Sequence, residues 1–115
     1  MTTASPPHGV SSVVTAHLKP EDVPTFLTIL KPLYDKVAAE PGCLFFEVYE
    51  SKEEPGVVCW VEDWAESKEW FFEKEATKEY YKESLPKLLA LLTKPIDMKW
   101  FNRLGPDYYT AKSNE

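Results

Sequence analysis

Arginine is almost absent from this chain. Of its 115 residues only Arg103 carries a guanidinium, and Asp and Glu outnumber Lys and Arg by 19 to 13, for a formal net charge of −6. Nucleic acids and anionic membranes are held by clustered cations, so this balance argues against both as nonspecific partners. Long apolar runs are missing too. The longest, from Leu88 to Leu92, falls far below the ~20 residues that span a bilayer. The opening MTTASPPHGVSS lacks a basic patch followed by an apolar stretch, so no secretory signal is predicted. The two cysteines, Cys43 and Cys59, make no C-x-x-C motif and no disulfide framework. Both fall in predicted strands as small hydrophobes, the expectation for reduced thiols in a cytoplasmic protein. With only His8 and His17 present, no Ser-His-Asp or Cys-His arrangement can be argued. No glycine-rich loop supports nucleotide or flavin binding.

What is present is aromatic and strand-like. Pro41 to Trp64, PGCLFFEVYESKEEPGVVCWVEDW, reads as two strands with something apolar to bury on each face. Phe45 and Tyr49 oppose Leu44, Phe46 and Val48; Val57, Cys59 and Val61 alternate with Val58, Trp60 and Trp64. The turn between them is expected at Glu53-Glu54-Pro55-Gly56. Ser12–Leu18 reads as a first strand. Val23, Phe26, Leu27, Leu30, Tyr34, Val37 and Ala38 recur at helical spacing, with a kink expected at Pro32. After Trp64, Ser67 is placed to cap a short helix containing Trp70, Phe71 and Phe72, and Thr77 to cap another. That second helix has an inner face of Tyr81, Leu85, Leu88, Leu89 and Leu92 and is expected to divide at Pro86. Ile96, Met98, Trp100 and Leu104 read as a last strand.

The order is βαββαβ, an α+β ferredoxin-like pattern with a four-stranded antiparallel sheet and helices on one face. The expected organisation is an arm over residues 1–10, one domain over 11–104 and a tail over 105–115. The other sheet face would be bare and aromatic in a monomer, which predicts a homodimer with sheets face to face.

The strings PGCLFFEVYES and VCWVEDWAESKEW resemble the antibiotic biosynthesis monooxygenase family, through Pro41, Gly42, Cys43, Glu47, Tyr49, Trp64, Glu66 and Ser67. The resemblance covers about Ser11 to Leu104 and implies a dimeric α/β barrel. It also implies a cofactor-independent monooxygenase acting with O2 on a small phenolic, polyketide-like substrate held between sheet and helices. A non-catalytic small-molecule-binding dimer is the alternative. Heme degradation is a second alternative, disfavoured because the place of that branch's ligand histidine, near Ser84, has none. The places of a helix histidine pair common in the family hold Lys74 and Glu79.

Under that resemblance His17 is the candidate base, since an imidazole titrates near neutral pH. Trp64, Trp70, Tyr81 and Tyr49 are the candidate substrate-binding residues, offering flat apolar walls and single polar donors. Packing alone is the competing role for each, and for Trp60 and Trp100. Tyr80 is a further possible donor. No metal is expected: Glu75, Glu79 and Glu83 share a helix face with interleaved lysines, which reads as a solvated surface.

Overall fold

The structure, a computed structural model, describes residues 8–113. It contains β1 (Val10–His17), α1 (Val23–Ala38), β2 (Cys43–Glu50), β3 (Val57–Trp64), α2 (Lys68–Trp70), α3 (Glu79–Leu89) and β4 (Asp97–Asn102). Every strand pairing is antiparallel and the sheet order is β2-β3-β1-β4. This is the expected ferredoxin-like α+β fold.

Strand alternation sorts the sheet into two faces. Val10, Ser12, Val14 and Ala16 of β1 are buried under the helices, and register sets them opposite Trp64, Glu62, Trp60 and Val58 of β3. Met98 and Trp100 of β4 join the same side. Phe26, Leu30, Leu33 and Val37 of α1 close the core from above, with Tyr81 and Leu88 of α3. In β2 the register slips between Cys43 and Phe45, so Cys43 pairs with Trp64 and Phe46 with Glu62. Leu44 is the extra residue of this bulge and lies exposed, apart from Phe46 and Val48, with which alternation had grouped it.

Several boundaries differ from expectation. β1 begins at Val10, which is buried and paired with Trp64; the arm's residues 1–7 lie outside the described residues. Pro32 does not interrupt α1 and Pro86 does not divide α3. Both prolines are exposed, as are Thr28 and Lys82 four residues earlier, so water can take the hydrogen bond that proline cannot donate. β4 ends at Asn102, and Leu104 is exposed beyond it. The tail makes a 3-10 turn at Pro106–Tyr108, and the Arg103 guanidinium stacks on Tyr109 at 5.2 Å.

The β2–β3 turn is built as expected. Gly56 has φ +91°, and a Cβ there would lie 2.2 Å from the Leu18 carbonyl oxygen, so only glycine fits. Ser67 accepts a hydrogen bond from the Trp70 amide (3.0 Å) and caps α2. From Phe71 to Glu75 the chain then widens into a π-helix. Thr77 ends that turn rather than starting α3, since its hydroxyl donates back to the carbonyls of Glu73 and Lys74.

Candidate active site

The helix-covered face carries a carboxylate where the strand pattern calls for a hydrophobe. Glu62 alternates inward with Val58, Trp60 and Trp64, and only 6% of it is exposed. Its two oxygens accept from two indoles: Trp60 Nε1 donates to Oε2 and Trp64 Nε1 to Oε1, each at 3.0 Å. Indole N–H groups are neutral donors. They satisfy the carboxyl geometrically without cancelling its charge, so burial prevails and pushes its pKa up to about 7. The two indole bonds pull the other way, and the nearby Glu75 charge adds to the rise.

Glu62 lines a cavity of about 60 Å³ between α1, α3 and the sheet, otherwise walled by apolar groups including Phe26, Leu30, Phe46 and Leu88. Leu85 and Leu89 of α3 line it as well, and they are 38% and 49% exposed. Both were expected on a fully inner face; they form the rim instead. A larger groove of about 380 Å³ runs between α1 and β2, past Lys31, Tyr34 and Glu47. It is open and holds no buried acid or base, so the smaller cavity is the better chemical candidate.

A second carboxylate lies nearby. The Glu75 side chain is 0% exposed, a correction to its reading as part of a solvated helix face. The cause is the π-helix: its wider turn brings Glu75 inward, while Glu73 and Lys74 stay outside. Glu75 Oε2 accepts from the hydroxyls of Tyr81 (2.8 Å) and Tyr80. Oε1 has the Lys78 ammonium at 3.2 Å as an ion pair, without hydrogen-bond geometry. Tyr80 also reaches Glu40 Oε1 (3.2 Å), and Lys78 bonds Glu40 Oε2 at 2.5 Å. That bond to Lys78, above all, holds the Glu40 carboxyl below the usual range. Burial raises both phenols above theirs, aided for Tyr80 by its bond to Glu75 and for Tyr81 by the charge of Glu62.

The sequence candidates divide between the two sheet faces. Trp64, Trp70 and Tyr81 come together on the helix side, with ring centroids 5.9 Å apart for Trp64 and Trp70. Phe71 links the indole of Trp64 (5.4 Å) to the ring of Tyr81 (6.5 Å). Trp60 and Trp100 lie on the same side, in the core and packed against it. His17 and Tyr49 belong to the opposite face, in the alternation of Ser11, Val13 and Thr15 on β1 and of Phe45 and Glu47 on β2. His17 pairs with Val57 and Tyr49 with Cys59, so neither shares a space with Trp64. Among the described residues no group of three His, Cys, Asp or Glu is arranged to hold a metal ion, and no helix is long and apolar enough to cross a membrane.

The acid that sequence reasoning missed was visible in the alternation itself. Glu62 sits between Trp60 and Trp64 on one face of a strand whose partners there are apolar. Glu75 had no such signal, because α-helical spacing puts it with Glu79 and Glu83 and only the π-helix moves it.

A sequence model of the family described as antibiotic biosynthesis monooxygenase matches residues 10–82. A "putative monooxygenase" of Pestalotiopsis microspora is 33% identical over 101 residues, covering 88% of this chain and 84% of that one. Among solved structures, a conserved protein from Methanosarcina mazei superposes with a TM-score of 0.75 at 24% identity, over 84% of this chain and 94% of that one. A "putative antibiotic biosynthesis monooxygenase" of Nitrosomonas europaea gives 0.78 at 15% identity, over 92% and 98%. At such identities the structural matches speak for the fold.

Proposed function

This chain belongs to the antibiotic biosynthesis monooxygenase family, and from that premise we propose that it oxidises a small phenolic or anthrone-like substrate with O2, without metal or flavin, using Glu62 as general base. The observation that carries the reading is a buried carboxyl, held by two indoles, on the wall of an apolar cavity, where burial pushes its pKa up to about 7. A base poised near the working pH is the most effective one. Glu62 takes a proton from the substrate carbon or hydroxyl, and the resulting carbanion or phenolate passes one electron to O2. Superoxide and substrate radical then combine to a peroxide, which loses water to give the ketone or quinone. One O2 enters, and one oxygen atom leaves as water. Trp60 and Trp64 keep Glu62 in place, and the apolar walls exclude solvent from the radical pair.

At about 60 Å³ the cavity holds a water or two, far less than the ~300 Å³ of an ordinary ligand site. Substrate entry in this reading parts α3 from α1 at the Leu85–Leu89 rim. A second copy is placed on the open sheet face, where Tyr49 and Phe101 are exposed; sedimentation as a stable monomer would remove it.

Oxygen uptake by the purified, metal-free protein with a panel of anthrones and hydroquinones tests the reading. Substrate-dependent uptake that falls about a hundredfold or more in Glu62→Gln is expected. Uptake unchanged in that variant eliminates Glu62 as the base. Tight ligand binding with no uptake identifies a binding protein instead.

A further inference from the structure

Three side chains wall two spaces at once. Leu89, Leu92 and Ile96 line the small cavity that holds Glu62, and the same three line an open depression of about 500 Å³ outside it. Thr93, Lys94 and Pro95 complete the outer space. The backbone frame between the two is fixed. Thr93 donates to the His17 carbonyl from both its amide (2.8 Å) and its hydroxyl (3.1 Å), and Leu92 bridges to Leu18 beyond the end of β1. Ile96 directly precedes β4, which is paired along β1. Within that frame two side chains are free to turn, since Leu89 is 49% exposed and Ile96 38%. Exposed rotamers flip within nanoseconds, so this end of the rim opens with the least rearrangement.

We propose that Leu89, Leu92 and Ile96 are the portal of the Glu62 cavity, and that substrate is held across it, its reacting edge inside and the rest of a flat aromatic body in the outer depression. The volumes call for this division. About 60 Å³ inside takes no more than the edge of one ring, whereas about 500 Å³ outside matches an ordinary ligand site. Polarity is set by the outer wall. Among the described residues Lys94 is the one charged side chain on it, and no carboxylate shares that wall. The fitting class is an elongated, multi-ring aromatic with an acid group at the end away from the reacting carbon. The inference rests on the Glu62 cavity as the substrate site and names what that site takes.

Anthraquinone-2-carboxylate is the probe: it is a flat apolar body with one distal acid, and it is already oxidised, so binding is read without turnover. Ile29 and Ile96 are the only isoleucines, and Ile29 on α1 lines neither space. Trp60 lines the inner one. In NMR titrations of the whole chain with isotope-labelled isoleucine methyls and indoles, the Ile96 methyl and the Trp60 indole N–H should move with a single Kd while Ile29 stays still. Lys94→Gln should weaken this probe about threefold and leave binding of uncharged 2-hydroxymethylanthraquinone unchanged. Movement of Ile96 without Trp60 would overturn the division of the substrate between the two spaces. A still Ile96 overturns the portal, whether or not the probe binds elsewhere. Equal weakening of both probes in Lys94→Gln, or none, overturns the distal acid. Oxygen uptake that depends on Glu62 while Ile96 stays still would keep the oxygenase reading and remove only the portal; joint movement of Ile96 and Trp60 without uptake would do the reverse.

Discussion

Replacing Glu62 by glutamine should change how stability depends on pH, by an amount the structure sets. The Glu62 carboxyl ordinarily titrates at 4.5 and in the fold at about 7. A raised carboxyl pKa means that the folded state keeps a proton the unfolded chain has lost. Between pH 4.5 and 7 the native state therefore binds more protons, and stability falls as pH rises. Below this window Glu62 is neutral in both states and imposes no charge-burial cost; above it the full cost is present. Each tenfold change in proton affinity is equivalent to about 1.4 kcal/mol, so the rise from 4.5 to about 7 corresponds to about 3 kcal/mol. Glutamine keeps the shape without the charge. Its NH2 faces an indole N–H that Glu62 satisfied, which costs about 1–3 kcal/mol, but that cost does not vary with pH. The assay is urea unfolding of both proteins from pH 4 to 8.5. Wild-type stability, taken relative to Glu62→Gln, should decline by about 3 kcal/mol across the window. Contributions from other groups, such as the depressed Glu40, appear in both proteins and cancel. A flat difference would refute the claim that Glu62 is buried with its charge uncompensated.

Trp64→Phe should cost about 1–3 kcal/mol, since a fully buried indole and its hydrogen bond are lost. It should also move the Glu62 midpoint above about 7, because the Trp64 bond holds that pKa down; the fluorescence titration of Trp60 reads it. Gly56→Ala, at φ +91° and against the Leu18 carbonyl, should lower stability by at least about 1 kcal/mol by thermal unfolding. Ser67→Ala removes the cap on α2 and should cost about 1 kcal/mol by the same measurement.

The fold was legible because its signals are local and periodic. The helical spacing of Phe26, Leu30 and Val37, the alternation in β3 and the Pro55-Gly56 turn each point to one conformation. Proline was over-read at Pro32 and Pro86, because exposure of the freed carbonyls is a tertiary property. Of the aromatic candidates taken from the family resemblance, Trp64, Trp70 and Tyr81 lie together on the helix side and Tyr49 lies on the other face. The acids of the site were not legible. Glu62 was passed over in a strand read for its hydrophobes, and Glu75 depends on a wider helical turn that no spacing rule announces. The facing of His17 turns on β1 register: position 17 shares the parity of Val13, whereas the covered residues are Val14 and Ala16.

The π-helix at Phe71–Glu75 also marks where this part of the chain carries one residue more than a regular helix would. An ordinary helix turns about 100° per residue, so drawing the segment into regular pitch at its present length would rotate one flank against the other. If Trp70 and Phe71 kept their places, Glu75, Tyr80 and Tyr81 would swing toward water; if those stayed, the aromatic pair would leave the core. Losing one of the exposed residues Phe72, Glu73 or Lys74 instead lets the wide turn close with both flanks near their present facing, so a lost codon is absorbed here more easily than in the regular helices on either side.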